Sequence, residues 1–169
     1  EIRFRDGTVL DGKVVQTTED SVTVEYEGSE GTTVGNFRAS DLQPASFYSV
    51  RSTQVTGDAR GCLDLAAFAL ENDLYAQARF EWERARRLDS SMAERFRTGE
   101  AAELVKGATE RLLAHAREQY ADKEYDEAEA STRILMTIFP LSEAAQEAQS
   151  LIRDIVRAKA DEELDQVDP

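Results

Sequence analysis

The sequence predicts an α+β protein: a small five-stranded antiparallel β-barrel at residues 1–56, followed by about five helices at residues 57–159. Three observations support this fold class. Apolar and polar residues alternate in short runs in the first part, as they do in β-strands. Beyond Gly57, apolar residues recur at steps of three and four, as they do on one face of a helix. Two of these helical stretches also share a pattern in which a tyrosine precedes an alanine by three residues.

Five short strands are predicted in the first 56 residues, and each ends at a turn signal. Asp-Gly, Glu-Asp and Gly-Ser pairs separate the strands, since these residues favour tight turns. The strands begin at Ile2, Val9, Val22, Thr32 and Ser46, and the last ends at Arg51. Closure into a barrel is predicted because it removes the exposed edges of so short a sheet.

Helical periodicity predicts two antiparallel helix pairs and a final helix. Asp58 is a plausible N-cap for the first helix, and Ser142 for the last. A long helix after Ser91 contains two glycines that bend or divide it. Residues 160–169 carry five acids and no base, so we predict a disordered acidic tail there.

The shared pattern places three residues of each copy on one helix face: Tyr75, Ala78 and Ala85 in the first, and Tyr125, Ala128 and Leu135 in the second. A small side chain in the middle of such a face lets two helices approach closely. The pattern is therefore typical of a helix-pair scaffold.

The chain is strongly acidic, with 20 Lys and Arg against 34 Asp and Glu and a formal charge of −14. Such a field repels phosphate backbones and anionic lipid surfaces. Solubility explains the charge most simply, and recognition of a basic partner is the alternative. No apolar run is long enough to cross a bilayer, so no transmembrane segment is predicted.

Few residues in this chain could support catalysis or bind a metal. The single cysteine, Cys62, lies on an apolar helix face and is predicted to be buried, and the single histidine, His115, is predicted to be an ordinary helix residue. The acids at 122–126 have the spacing that opens a calcium loop, but the glycine and the closing acid of that loop are missing. We predict no catalytic residues, no metal site, no cofactor and no enzymatic activity.

The order of the first elements resembles that of Sm-like and tudor-like small barrels: a strand, D-G-T-V-L-D-G-K-V-V, a meander, then S-D-L-Q-P before the last strand. Different families of such barrels bind RNA, methylated side chains or proteins, so the resemblance assigns no activity. Five basic residues against nine acidic ones up to residue 56 argue against RNA. Tyr26, Phe37, Phe47 and Tyr48 are predicted to fill the barrel, with a methyl-lysine cage as the alternative.

Residues 59–92 and 109–142 resemble tetratricopeptide repeats. The small residues and the final proline of that pattern fall on Ala66, Ala78 and Ser90 in the first copy, and on Ala116, Ala128 and Pro140 in the second. A large aromatic is expected four residues after each second-helix alanine, where the chain has Trp82 and Thr132. Ala78 and Ala128 are 50 residues apart rather than 34, so the helix between the copies is lengthened.

The phrase Y-D-E-A-E…I-F-P-L-S-E-A-A-Q-E-A is similar to repeat units of bacterial envelope proteins, including outer-membrane assembly lipoproteins and cell-division coordinators. The resemblance implies a bacterial origin and a periplasmic or otherwise exported location, with the cytoplasm as the alternative. The chain begins at Glu1 rather than at methionine, which either a removed leader peptide or a trimmed chain would explain.

Repeats of this family present a groove formed by their first helices, which implies a scaffold or adaptor that binds a protein partner or associates with itself. Carried onto this sequence, the groove positions are Arg60, Leu63, Ala67, Leu70, Glu110, Leu113, Arg117 and Tyr120. Packing of the barrel or of the last helix into the same groove is the competing possibility. The alternative function is an Sm-like nucleic-acid-binding protein whose helices only assemble it.

Overall fold

The computed structural model describes residues 1–29 and 31–167, apart from the side chains at 163 and 165–167. Within these residues the chain forms seven α-helices and two small antiparallel sheets, which confirms the α+β class. It divides into two compact units, Glu1–Phe96 and Arg97–Pro169. The boundary predicted at residue 56 therefore lies inside the first unit.

The two sheets contain two and three of the described strands. The strands are β1 (Ile2–Arg3), β2 (Val9–Leu10), β3 (Gly12–Thr17), β4 (Ser21–Gly28) and β5 (Gly31–Arg38). Strand β1 pairs with β2, and β4 lies between β3 and β5. The three-stranded sheet is a meander, because each of its connections joins neighbouring strands.

The prediction of a closed five-stranded barrel is wrong for the part of the chain that the structure describes. The predicted fifth strand lies inside helix α1 (Pro44–Gln54), which follows a 3₁₀ turn at Ala39–Asp41. Pro44 stands in the first turn of α1, where its fixed φ suits a helix and its missing N–H has no helical partner to lose. Ahead of α1, an isolated antiparallel bridge between Phe4 and Leu42 continues the pairing beyond β1.

A hydrophobic core joins the two sheets to α1. Its fully buried members are Ile2, Val22, Val24, Leu42 and Phe47. Phe37 and Tyr26 pack against this core at its edge. Phe47, Phe37 and Tyr26 therefore pack in or against a core, but this core joins two small sheets to α1 and does not fill the predicted barrel. Tyr48 lies outside this core.

Gly12 lets β3 pass close to β4. A Cβ atom at this position would lie 2.6 Å from Cγ1 of Val24 and 2.7 Å from the carbonyl oxygen of Glu25. Any larger residue would push the two strands apart. The Asp-Gly pair read as a turn signal is thus also a requirement of strand packing.

Six helices follow α1, at bounds near those predicted: α2 (Ala59–Glu71), α3 (Tyr75–Leu88), α4 (Ser90–Thr98), α5 (Ala102–Ala121), α6 (Tyr125–Ile138) and α7 (Glu143–Val167). The Asp58 carboxylate accepts a hydrogen bond from the Arg60 N–H at 3.0 Å, and the Ser142 hydroxyl accepts one from Ala145 at 3.1 Å. Both predicted caps are confirmed. The long helix predicted after Ser91 is divided into α4 and α5.

Helix α7 continues through residues 160–167, where the sequence predicts a disordered tail. Extending an existing helix adds one hydrogen bond for each residue fixed, so helix formers such as Ala160, Glu162 and Leu164 prolong it at little cost. Asp168 and Pro169, which belong to the same prediction, lie outside the described residues.

The hairpins α2–α3 and α5–α6 have the same turn. Asp73 and Lys123 both adopt a left-handed backbone, with φ of 57° and 63°. In the first turn the N–H of Leu74 donates to the Ala69 carbonyl at 2.8 Å, and in the second Glu124 donates to Gln119 at 2.8 Å. These bonds form a Schellman motif, which satisfies the last carbonyls of the first helix and reverses the chain.

Candidate functional site

The predicted groove positions in the first unit are mostly covered by the chain itself. Leu63 is 0% exposed and Leu70 is 6% exposed, whereas Ala67 is half-buried and Arg60 is exposed. The two leucines are therefore core residues of the first unit. Of the four positions, only Arg60 presents most of its side chain to solvent.

Helix α4 lies against one end of this α2 face. The guanidinium carbon of Arg60 lies 5.6 Å from the centre of the Phe96 ring, and that ring lies 6.5 Å from Trp82. Arg60 also forms an ion pair with Asp64 at 3.0 Å. The arginine is thus held over an aromatic ring, with its charge still accessible.

In the second unit, α7 lies beside the corresponding face of α5. Leu113 is 5% exposed, and Nη2 of Arg117 contacts Oε2 of Glu147 on α7 at 2.6 Å. The Tyr120 ring is half-buried, with its centre 5.8 Å from that of Tyr125. Glu110 is exposed. The exposed positions of this set are again the charged ones, Glu110 and Arg117.

The structure also contains a buried polar cluster that the sequence did not predict. Glu81 on α3 is 0% exposed. Its Oε1 accepts hydrogen bonds from the Tyr48 hydroxyl at 2.9 Å and from the Ser52 hydroxyl, both on α1. Nη1 of Arg84 lies 2.7 Å from Oε2 of the same carboxylate.

The sequence did contain a signal for this cluster. Glu81 lies three residues after Ala78 and four before Ala85, which places it on the buried face of α3. A carboxylate at such a position requires partners, because burying an unpaired charge is very costly. Its partners on α1 could not be foreseen from a segment predicted to be a strand.

The cluster raises the pKa of two neighbouring groups. Burial, reinforced by the Glu81 carboxylate, raises the pKa of Tyr48 to about 12. Burial also raises the pKa of Cys62 to about 11, and the Cys62 thiol donates to the Val55 carbonyl at 3.3 Å. Cys62 is buried, as predicted, and a thiol with so high a pKa is a poor nucleophile at neutral pH.

The geometry of the cluster fits a structural contact between two helices better than a reactive site. No buried side-chain nitrogen or oxygen in the described part of the chain lacks a hydrogen-bond partner. The carboxylate of Glu81 is satisfied by α1 and by Arg84, and it has no exposed surface for a substrate to reach. The cluster therefore ties α1 to α3.

A surface cleft of about 510 Å³ lies beside the turn between β3 and β4. Thr18, Glu19, Asp20 and Arg51 line it. The Thr18 hydroxyl already donates to the Asp20 carboxylate at 2.7 Å. The cleft thus carries charges of both signs, and part of its polar capacity is used within the turn.

The described residues hold no candidate for a metal site and no candidate membrane span. No group of three or more His, Cys, Asp or Glu side chains among them could hold a metal ion. No helix in the same residues is both long enough and apolar enough to cross a membrane.

Comparison of the chain with protein-family models, curated proteins and solved structures gives no match. The similarity to tetratricopeptide repeats therefore stays a prediction from the residues, whereas the described strands do not form the barrel that the Sm-like resemblance implies.

Proposed function

We propose that this chain is a non-catalytic scaffold that binds a protein partner along the exposed edges of α2 and α5. The duplicated hairpin carries the proposal. Helices α3 and α6 each have 14 residues, follow the same turn, and bury an alanine at the same position, Ala78 and Ala128. Repeated helix pairs of this kind commonly serve as binding surfaces for other proteins.

The exposed side chains indicate what kind of partner would fit. Arg60 in the first unit, and Glu110 and Arg117 in the second, are charged and reach solvent. Leu63, Leu70 and Leu113 are buried within their own units and are left out of the proposed surface. A segment of mixed charge, bound mainly through polar contacts, fits these edges better than an apolar helix.

The nucleic-acid alternative has less support. It depends on an Sm-like barrel, and the described strands form two separate small sheets. The formal charge of −14 also opposes binding to phosphates.

Site-specific photo-crosslinking in cells of the source organism tests the scaffold proposal. A photoreactive residue replaces Arg60, Glu110 or Arg117, and Arg133 serves as the matched control. Arg133 is exposed and paired with Glu129 at 2.6 Å, much as Arg117 is paired with Glu147, but it lies on the second helix of its hairpin. We expect one crosslinked partner from the first three positions and none from Arg133.

Charge-reversal variants provide a second test of the same surface. Arg60→Glu and Arg117→Glu should each reduce recovery of the crosslinked partner, while Arg133→Glu should leave it unchanged. Equal recovery from all three variants would remove the α2 and α5 edges from consideration. A substitution such as Leu70→Glu is unsuitable here, because it places a charge in the core.

A further inference from the structure

Helix α3 carries a ridge whose two ends are exposed apolar side chains, Phe80 and Leu88, with the largely buried Arg84 between them. Phe80 is 52% exposed and Leu88 is 48% exposed. Arg84 lies between them in sequence, and its guanidinium carbon is 5.5 Å from the centre of the Phe80 ring. Residues four apart form one ridge of a helix surface, the kind of ridge that packs into the groove of another helix.

The same helix is basic within an acidic chain. It has four arginines and two glutamates, and one of those glutamates, Glu81, is buried against Arg84. Arg79, Arg86 and Arg87 are exposed. Two copies meeting α3 against α3 would place like charges together, which opposes a symmetric contact through this face.

Helix α7 carries a ridge with the same spacing and the opposite charge at its end. Val156 is 50% exposed and Leu164 is 68% exposed, with the small exposed residue Ala160 between them. Residues 160–167 contain four acids and no base. This end of α7 is thus an apolar ridge with a negative charge.

The end of α7 also extends past its own hairpin. Lys159 Nζ lies 2.6 Å from Oδ1 of Asp126, the second residue of α6. Helices α6 and α7 are joined by a short turn, so α7 continues beyond the start of α6 for about the last eight of its 25 residues. A second chain can therefore approach this segment.

We infer that this chain associates with itself head to tail, the ridge of α3 in one copy packing against the end of α7 in a second copy. The small Ala160 allows close approach opposite Arg84, and the apolar pairs flank it at equal spacing. The exposed acids Asp161 and Glu162 of α7 meet the exposed arginines of α3, Arg79, Arg86 and Arg87. Two short ridges bury a modest area, so the association is weak and depends on concentration.

This inference concerns faces other than the α2 and α5 edges, so it stands or falls independently of the proposed partner binding. A head-to-tail contact uses two different surfaces, which allows a complementation experiment. Leu88→Glu damages only the α3 ridge, and Leu164→Glu damages only the α7 end. A mixture of the two variants retains one intact contact.

Sedimentation velocity over about a hundredfold range of concentration measures the association. We expect self-association of the natural sequence, and each variant alone to weaken it about tenfold or more. An equimolar mixture of the two variants should form a 1:1 heterodimer. Leu141→Glu and Val34→Glu, at positions 85% and 61% exposed, are controls that should associate like the natural sequence.

Three results would overturn the inference. The natural sequence could stay monomeric at every concentration, the two ridge variants could associate as well as the controls, or the mixture could stay monomeric. Circular dichroism checks that each variant is folded. If Leu88→Glu unfolds, Phe80→Gln tests the same ridge without placing a negative charge near the end of the helix.

Discussion

The hairpins α2–α3 and α5–α6 share a backbone and differ in what they bury. Both turn through a left-handed residue and bury an alanine five residues later. Three residues after that alanine, the first hairpin has Glu81 and the second has Ser131, and both side chains are buried. The comparison shows that local signals set the backbone, while the neighbouring elements decide which side chains it can accommodate.

The two buried polar residues have different partners. Glu81 is bound by hydroxyl groups on α1, outside its own hairpin. The Ser131 hydroxyl donates to Oε1 of Gln119, within its own hairpin, at 2.8 Å. Glu81 therefore connects the first hairpin to α1, which packs on the sheets. Ser131 connects only the two helices of the second hairpin.

The largest expected difference between the hairpins comes from removing these two residues. Glu81→Ala leaves Arg84, Tyr48 and Ser52 without their shared acceptor, and should lower the free energy of unfolding by about 3 kcal/mol. Ser131→Ala removes one neutral hydrogen bond and should cost about 1 kcal/mol. Urea unfolding measures both, with fluorescence of the single tryptophan, Trp82, reporting on the first hairpin.

Glu83→Ala is the matched control for Glu81. Glu83 pairs with Arg86 at 2.8 Å near the surface, so its loss should cost less than about 1 kcal/mol. Equal losses of unfolding free energy for Glu81→Ala and Ser131→Ala would show that the hydrogen bonds from α1 to Glu81 do not distinguish the two hairpins.

The shared alanines should respond alike. Ala78→Leu and Ala128→Leu force extra volume between closely packed helices, and each should destabilise its hairpin by about 2 kcal/mol. Ala76→Leu and Ala130→Leu, at exposed positions of the same helices, should have little effect. Chemical unfolding followed by far-UV circular dichroism compares the unfolding free energies of the buried-site and exposed-site variants. An unchanged unfolding free energy with leucine at either buried site would contradict close helix contact there.

Alkaline pH should weaken the first unit through two groups of raised pKa, Cys62 on α2 and Tyr48 on α1. Cys62 has its pKa raised from 9.0 to about 11, so its contribution to stability is complete below pH 9 and is lost as the pH rises through 11. Tyr48, raised from 10.0 to about 12, adds a loss at higher pH. We expect the Trp82-detected melting temperature to fall over this range.

Cys62→Ala and Tyr48→Phe identify the cause of that fall. Each variant should show a shallower decline than the natural sequence between pH 9 and 12, whatever its stability at pH 7. Parallel pH profiles for all three proteins would assign the decline to other groups. Slow reaction of the thiol with Ellman's reagent in the folded state, and fast reaction in urea, should accompany the buried position of Cys62.

The smallest expected effects are at the turns. Lys123→Gly relieves a left-handed conformation that a side chain disfavours, and should stabilise the second hairpin by about 0.5 kcal/mol. Asp73→Gly should gain less, because Asp73 also accepts a hydrogen bond from the Tyr75 hydroxyl at 2.8 Å. Urea midpoints compare the two, and a larger gain at Asp73 would show that this bond contributes nothing.

Most helix bounds could be predicted from the sequence because their causes are local. Asp58 and Ser142 cap helices within one turn, Pro140 follows the end of α6, and the spacing of apolar residues marks the buried faces. The two hairpins were found through the same kind of signal. The arrangement at 44–54 was missed, since a short run of apolar and polar residues fits a strand and a helix equally well.

The candidate site was predicted less well. The eight groove positions came from a repeat pattern. The three leucines among them, Leu63, Leu70 and Leu113, are packed within the chain. A pattern places residues on a helix face, but it does not show which neighbouring helix covers that face. The charged members, Arg60, Glu110 and Arg117, kept their exposure because burying them would require partners.

By itself, the sequence determined the α+β class and the helix pairs with their buried alanines, because both follow from residues within a few turns of one another. It also determined the net charge, which depends on composition alone. Only the tertiary structure decided that the described strands form two separate sheets, that α1 replaces the predicted fifth strand, and that Tyr48 meets Glu81 across 33 positions of sequence. Contacts between residues so far apart depend on how whole elements pack, and no local periodicity encodes that packing.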